Sequence, residues 1–333
     1  MEGQGLPGAG RAASLRHVRP SKPGAALALA LLAAASPLAV AQAPVRLQLL
    51  DTAVFKARRV TESSGVAVSS RRAGVLWTHN DSGDEPRLYA TDSAGGDLGS
   101  VRVAGAQNVD WEDLGAGPCP PAAHRCLYAA DIGDNERSRD HVVIYRLAEP
   151  EPPLTAADTV REVPCEAATA LRYPDRPHDA EAVAVDPAGR VFIFTKEVLG
   201  PPRMFQVPPR TEPQRPGQYD TLRFVGLLDV APNLAKLRVA TGAAVSPDGT
   251  VLVVRTYSSI HFFRLRGDSL PAPLTPPEGL LIPFVEPQGE GIAFLAPNVL
   301  VLTSEQDDSD HGTIARLRVA GLPGPGPQAT GRP

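Results

Sequence analysis

The chain has 333 residues, a formal net charge of −4, 21% charged and 5% aromatic residues, 35 prolines, 30 glycines and 3 cysteines. That length suits one large β domain or two average ones, and the abundant Pro and Gly suit many tight turns. The mild negative charge, with no clustered Lys/Arg stripe, excludes an electrostatic footprint for nucleic acid.

Residues 1–41 read as an export signal. Arg11, Arg16, Arg19 and Lys22 form a basic start, and an uncharged apolar run follows from Ala25 through Leu32 to Val40, broken only by Ser36 and Pro37. Ala39-Val40-Ala41 then supplies a small-x-small cleavage site. The other reading is an uncleaved anchor, but the run falls short of the ~20 residues a spanning helix needs. The expectation is a secreted or periplasmic protein with no membrane association after cleavage.

The mature chain opens on Val45-Arg-Leu-Gln-Leu-Leu50, a strand with no neighbour in sequence to pair with. A phrase then recurs five times, in which a polar residue opens a short apolar strand: Glu62-Ser-Ser-Gly-Val-Ala-Val, Asp110-Trp-Glu-Asp-Leu-Gly-Ala, Asp179-Ala-Glu-Ala-Val-Ala-Val-Asp, Ala240-Thr-Gly-Ala-Ala-Val-Ser and Gly289-Glu-Gly-Ile-Ala-Phe. Each is followed by a turn, such as Asp186-Pro-Ala-Gly189 or Ser246-Pro-Asp-Gly249, and by a second strand of branched or aromatic residues, then a third. Fourth strands are fainter, at 97–103, 160–173, 221–228 and 279–285. Repeats of this kind point to an all-β radial architecture, a single β-propeller over 45–320 with five four-stranded blades. The long interval from Glu112 to Glu181 leaves room for a sixth. The last unit lacks a fourth strand, so the N-terminal strand is expected to complete it and close the ring. The tail 321–333 is too rich in Pro and Gly to fold. Trp77 and Trp111 are expected between blades.

Export permits disulfides. Cys119 and Cys126 flank Pro120-Pro-Ala-Ala-His-Arg125, a hairpin loop between strands at 113–117 and 127–131. A bridge closing that loop is favoured over a reduced pair, and Cys165 is left as a thiol within a strand.

Leu127-Tyr-Ala-Ala-Asp-Ile-Gly-Asp-Asn135 resembles the signature strand of NHL-type propeller repeats. Glu290-Gly-Ile-Ala-Phe294 is similar to the opening strand of gluconolactonase-like propellers, a resemblance that implies a metal ligand at Glu290 in the central channel. Trp77-Thr-His-Asn-Asp-Ser-Gly-Asp84, Asn108-Val-Asp-Trp-Glu-Asp113 and Asp179-Ala-Glu181 are similar to secreted bacterial propellers of the phytase-like or esterase-like kind. The resemblance spans roughly residues 60 to 320 and bears on fold rather than activity. Five units are recognisable here, where those enzymes have six.

In a propeller the first strand of each blade lines the channel and the second returns antiparallel, so starts of first strands and ends of second strands share one mouth. First strands bring Glu62, Asp110, Glu112, Asp179, Glu181 and Glu290 there, and second strands bring Asn80, Asp81, Asp131, Asp134, Asn135, Glu197 and Glu305. So many oxygens cannot all stay ionised unpaired. Oxygen donors without Cys favour Ca²⁺, or another divalent cation, with Glu62, Asn80, Asp81, Asp110, Glu112, Asp131, Asp179, Glu181, Glu197, Glu290 and Glu305 as candidate ligands. The functional expectation is a metal-dependent hydrolase of small phosphoester or ester/lactone substrates, with Glu181 or His178 as general base and Lys196 and Arg255 offsetting substrate charge. Tyr257 and Ser258-Ser259 stand where other units carry an acid, which marks a substrate-facing side. The competing expectation is a non-catalytic propeller binding a protein or glycan, its acids capping turns; on either reading the protein is expected to be a monomer with its ligand at the channel mouth. No Gly-x-Ser-x-Gly elbow, phosphate loop or dinucleotide fingerprint is present.

Overall fold

The computed structural model describes residues 44–119, 122–153, 161–210, 212–231, 239–267, 269–307 and 311–323. The expected signal segment 1–41 and the tail beyond 323 lie outside them. Among the described residues no helix is long and apolar enough to cross a membrane.

The strands form five sheets, each built mainly from consecutive antiparallel strands. Blade one comprises Ser63–Val68, Val75–Asn80, Arg87–Asp92 and Asp97–Ala104; blade two Trp111–Cys119, Ala122–Asp131, Val142–Ala148 and Ala167–Arg172; blade three Ala180–Val185, Val191–Thr195, Arg203–Gln206 and Arg223–Leu227. Blade four comprises Ala240–Val245, Val251–Thr256, Ser259–Arg266 and Ser269–Pro273; blade five Gln288–Ala296, Val299–Glu305 and Thr313–Ala320, with Arg46–Val54 antiparallel to the last as its outer strand. The first described strand thus completes the last sheet.

Period-two alternation explains why sheets stack as sectors. In blade one Val75 and Trp77 face blade two, while Leu76 between them faces blade five. In blade three Val191 and Ile193 pack toward blade two, and Phe192 and Phe194 toward blade four. Five apolar clusters result, one at each blade junction, and the junction of blade five with blade one closes the circle. The molecule is a five-bladed β-propeller. Trp77 and Trp111 are both fully buried in the junction of blades one and two, as expected.

The inner strands sit so close that side chains are excluded at equivalent positions. A Cβ on Gly65 would overlap the backbone of Asp113 and Leu114, and one on Gly242 would overlap the Glu290 carbonyl. Gly at these places fixes a narrow channel.

The structure corrects three details. Among the described residues no sixth blade lies between Glu112 and Glu181; a long hairpin (Trp111–Cys119 with Ala122–Asp131) and a detour occupy that interval. In the detour Arg161–Pro164 runs parallel to Asp97–Ala104 at the edge of blade one before Ala167–Arg172 returns to blade two. The outer strand of blade four is Ser269–Pro273, and only Leu280–Leu281 of the expected segment pairs there. Cys119 and Cys126 are joined by a disulfide, and Cys165 is a half-buried free thiol.

Candidate metal centre at the hub

Each inner strand carries a register shift near its start. The pairings jump from Ser63 to Gly65, Trp111 to Asp113, Ala180 to Ala182, Ala240 to Gly242 and Gly289 to Ile292. The residues left out of the ladder are Ser64, Glu112, Glu181, Thr241 and Glu290, with Gly291 beside the last. A bulge frees a side chain from the pleat and re-aims it, and here five of them turn one tier of side chains toward the axis. Ser64, not Glu62, therefore lies level with Glu112.

Two members of this tier are stitches. Ser64 Oγ donates to the Glu112 carbonyl at 2.6 Å, and Thr241 Oγ1 to the Gly289 carbonyl at 3.0 Å, each joining neighbouring inner strands. The three glutamates are buried. Above them, two residues earlier in each strand, stand Glu62, Asp110, Asp179 and Gln288; Gln288 Nε2 donates to Glu290 Oε1 at 2.9 Å. Second strands bring Asp81, Lys196, Tyr257 and Glu305 to the same mouth.

Carboxylate oxygens of Asp81, Asp110 and Glu112 lie within 4.8 Å of one another, as do those of Glu112, Asp179 and Glu181. Oxygens ligating one Ca²⁺ at 2.3–2.6 Å can be at most about 5 Å apart, so each triad matches a single-ion spacing, and Glu112 belongs to both. Gly133 backs the first triad: a Cβ there would collide with the carboxylates of Asp110 and Glu112. Asp179 is oriented by the Asp134 N–H, which donates to its Oδ1 at 2.9 Å. The hub donors are hard oxygens, so the residues fit Ca²⁺ or Mg²⁺ and not a thiophilic metal.

The electrostatics agree. Burial, then the neighbouring Glu181, Asp81 and Asp110, push the Glu112 carboxyl well above the ordinary range. Burial likewise raises Glu181 to about 7, with Asp179 and Asp81 adding to it, against the opposing pull of its ion pair with Lys196. Glu290 is raised well above normal by burial, Glu181 and Glu305; Glu305 rises to about 7 through burial, Asp81 and Glu62; Asp110 rises to about 6 through burial and Asp81. Burial pulls the Lys196 ammonium down, but Glu181, Asp179 and Glu112 outweigh it and keep it charged. Tyr257 is held in its neutral form by burial and by Glu290 and Glu181. Such a cluster must bind cations or protons.

One residue that the sequence reading missed closes the hub from below. Asp113 Oδ2 accepts the N–H of Val183 in blade three at 2.8 Å and of Ala243 in blade four at 3.3 Å, and Oδ1 accepts its neighbour Leu114 N–H at 2.7 Å. Blade four is not adjacent to blade two, so this carboxylate crosses the axis. Burial raises it to about 8 despite those donors. Beyond it the far mouth is a cavity of about 300 Å³ with walls of Val66, Leu114, Val183, Ala243 and Ile292.

Several expected site residues are elsewhere. Asn80 is a cap: its Oδ1 accepts the N–H of Thr61 and Glu62, and its Nδ2 donates to Arg59 O and Asp84. Asp131 accepts the Asp110 N–H and pairs with Arg139 at 2.8 Å. Asp134 closes an Asx-type turn on Ser138 and Arg139, and Asn135 is exposed. His178 is turned away from the channel, its Nε2 3.0 Å from Asp175 and its ring against Tyr173 and Phe205, so it cannot serve as a base there. Glu197 sits beside it, near Arg137. Arg255 is fully buried between blades four and five, donating to the Gly291 and Thr303 carbonyls and paired with Glu286. Ser259 is consumed by Thr256 and His261. Glu62 is exposed at the rim.

No protein-family model and no curated protein matches the chain. Solved structures do. The PQQ-bound aldose sugar dehydrogenase of Streptomyces coelicolor is similar at 13% identity and a TM-score of 0.45, over 83% of this chain and 100% of that one. Regucalcin, a calcium-binding protein of Agrobacterium tumefaciens, is similar at 14% and 0.43, over 84% and 96%. A glucose dehydrogenase-like oxidoreductase of Thermus thermophilus is similar at 11% and 0.41, over 82% and 99%. Identities and scores at this level carry no activity over to this chain.

Proposed function

We propose that the hub is a divalent-cation site, filled by Ca²⁺ in an exported protein, and that the chain is a metal-dependent hydrolase of small phosphoester or ester/lactone substrates. The observation that carries the reading is the pair of carboxylate triads sharing Glu112, with oxygens within 4.8 Å. Asp81, Asp110, Glu112, Asp179 and Glu181 would hold the ion. When bound, it supplies charge that polarises a phosphoryl or carbonyl oxygen.

The remaining roles belong to side chains at the same mouth. Lys196 stays charged beside Glu181 and offsets negative charge on a substrate. Glu305, titrating near 7, is poised to take a proton from an attacking water at physiological pH. Tyr257 keeps its hydroxyl proton and can donate it in a hydrogen bond. The ligand enters from the acidic mouth as a small molecule.

The test is elemental analysis of purified mature protein, with calorimetric titration of Ca²⁺, Mg²⁺ and Mn²⁺ into the metal-free form. Glu112→Gln should lose binding by at least roughly tenfold, since it breaks both triads. Unchanged binding in that variant would end the proposal. Turnover of generic phosphate and lactone substrates, abolished in Glu305→Gln with metal still bound, supports the hydrolase. Metal binding without turnover favours the non-catalytic alternative, in which the ion is a structural pin.

A further inference from the structure

A second cluster of ligating side chains lies at the opposite end of blade two, beside the end of Trp111–Cys119. Cys119 and Cys126 meet there, His124 lies between them in sequence, and Glu166 reaches in from the turn that precedes Ala167–Arg172. Glu166 Oε2 is 3.4 Å from Cys119 Sγ and 3.7 Å from Cys126 Sγ, and Oε1 is 3.4 Å from His124 Nε2. Ligand atoms of all four residues fall within 4.8 Å.

A disulfide has no proton to give a carboxylate, so the bridge itself does not explain why Glu166 is aimed at both sulfurs. Arg146 Nε, at 3.9 Å, and His124 are its cationic partners. Tetrahedral zinc offers a different explanation. With Zn–S near 2.3 Å and Zn–N or Zn–O near 2.0–2.2 Å, neighbouring ligand atoms stand about 3.3–3.8 Å apart. The distances from Glu166 Oε2 to the two sulfurs are edges of that size; His124 faces the other carboxylate oxygen, Oε1, at 3.4 Å, so the carboxylate would turn to set one oxygen against both the sulfurs and the imidazole. The two sulfurs are joined covalently and must part before both can bind an ion.

We propose that the hairpin tip exchanges a disulfide for a zinc ion: on reduction, Cys119, His124, Cys126 and Glu166 hold one Zn²⁺ as a Cys₂HisGlu site. A thiol or phosphine reductant supplies two electrons and is itself oxidised; the S–S bond breaks and each sulfur takes one proton. Zinc then displaces those two protons as both thiolates bind. Thiolate plus imidazole selects zinc over the hard cations suited to the hub. Cys119 and Cys126 are buried, whereas His124 and Glu166 are partly exposed, with side-chain accessibilities of 40% and 31%, so metal would enter from the side of these two.

Cobalt distinguishes this site from the hub, because only thiolate ligation gives a sulfur-to-cobalt charge-transfer band. Full-length protein carrying Cys165→Ser is reduced with a phosphine, desalted without oxygen and titrated with Co²⁺, then Zn²⁺. The expected result is a thiolate band and tetrahedral d–d absorption saturating at one Co²⁺, bleached by one Zn²⁺, and absent from the oxidised protein. His124→Ala and Glu166→Gln should each weaken Zn²⁺ binding by roughly tenfold or more while leaving hub binding of Ca²⁺ unchanged. A folded, reduced protein without the band, or a band indifferent to both variants, overturns the proposal. If reduction unfolds the chain, recovery of its circular dichroism on adding Zn²⁺ supports the site, and failure to recover overturns it.

Discussion

Raising the pH should destabilise the metal-free protein across a range where most proteins are at their best. Glu181 and Glu305 both move from an ordinary 4.5 to about 7 on folding. A group whose pKa is raised by folding contributes its stability in full below the unfolded value, and loses it as pH climbs through the folded value. Each therefore costs up to about 1.4 kcal/mol per pH unit between 4.5 and 7. Glu305 keeps some solvent contact, so the pair together amounts to about 2 kcal/mol per unit. Over pH 5 to 7 that lowers the melting temperature by roughly 8–15 °C for a domain of this size. Carboxylates held low in the fold, such as Asp51 beside Arg316, act in the opposite sense but below this window. At the proposed site calcium would compete with protons on these carboxylates, so its stabilisation should be small at pH 5 and large at pH 8. The assay is calorimetric melting of resin-stripped protein from pH 5 to 8, with and without millimolar Ca²⁺. A metal-free melting temperature that is flat or rising over that range would refute the buried-acid account of the hub.

Other outcomes follow from individual contacts. Asp113→Ala should cost about 2–4 kcal/mol, because it leaves the Val183 and Ala243 N–H groups without their acceptor, whereas Asp113→Asn keeps an acceptor and should cost less than half as much by denaturant titration. His178→Ala should lower stability by about 2–3 kcal/mol through lost packing on Tyr173 and Phe205, with Ca²⁺ affinity unchanged in calorimetry; a loss of affinity would return His178 to the hub. Trp111→Ala should cost about 3–5 kcal/mol, read from the same titration. Deleting residues 44–54 exposes the edge of Thr313–Ala320 and should yield aggregates on gel filtration.

Strand content and blade number were legible because alternation and turn residues coincide. Val75-Leu-Trp-Thr and Val191-Phe-Ile-Phe sort by parity onto two junctions, and Asp186-Pro-Ala-Gly189 turns as its composition demands, with its N–H to O bond at 2.8 Å. Outer strands were harder. Ser269-Leu-Pro-Ala-Pro273 reads as a loop, yet an edge strand tolerates proline where no donor is needed. At the hub, the acids of three inner strands could be read from the repeat, but no propensity marks the bulge that each inner strand carries near its start. The phrase already sets Glu62 beside Asp110 and Ser64 beside Glu112; what it hides is that the bulged residue of each pair is the one turned to the axis. His178 and Arg255 show a further limit: adjacency in sequence to a channel residue says nothing about which side of the strand a ring or guanidinium takes.

The carboxylate that spans the axis makes the acidic vestibule a cul-de-sac. If the hub is the hydrolytic site proposed above, a molecule reaching it could not drain past Asp113, so reactant and product would share one doorway. Turnover would then be limited by how fast the spent ligand backs out past Glu62 and Glu305, and accumulated product should compete with fresh substrate.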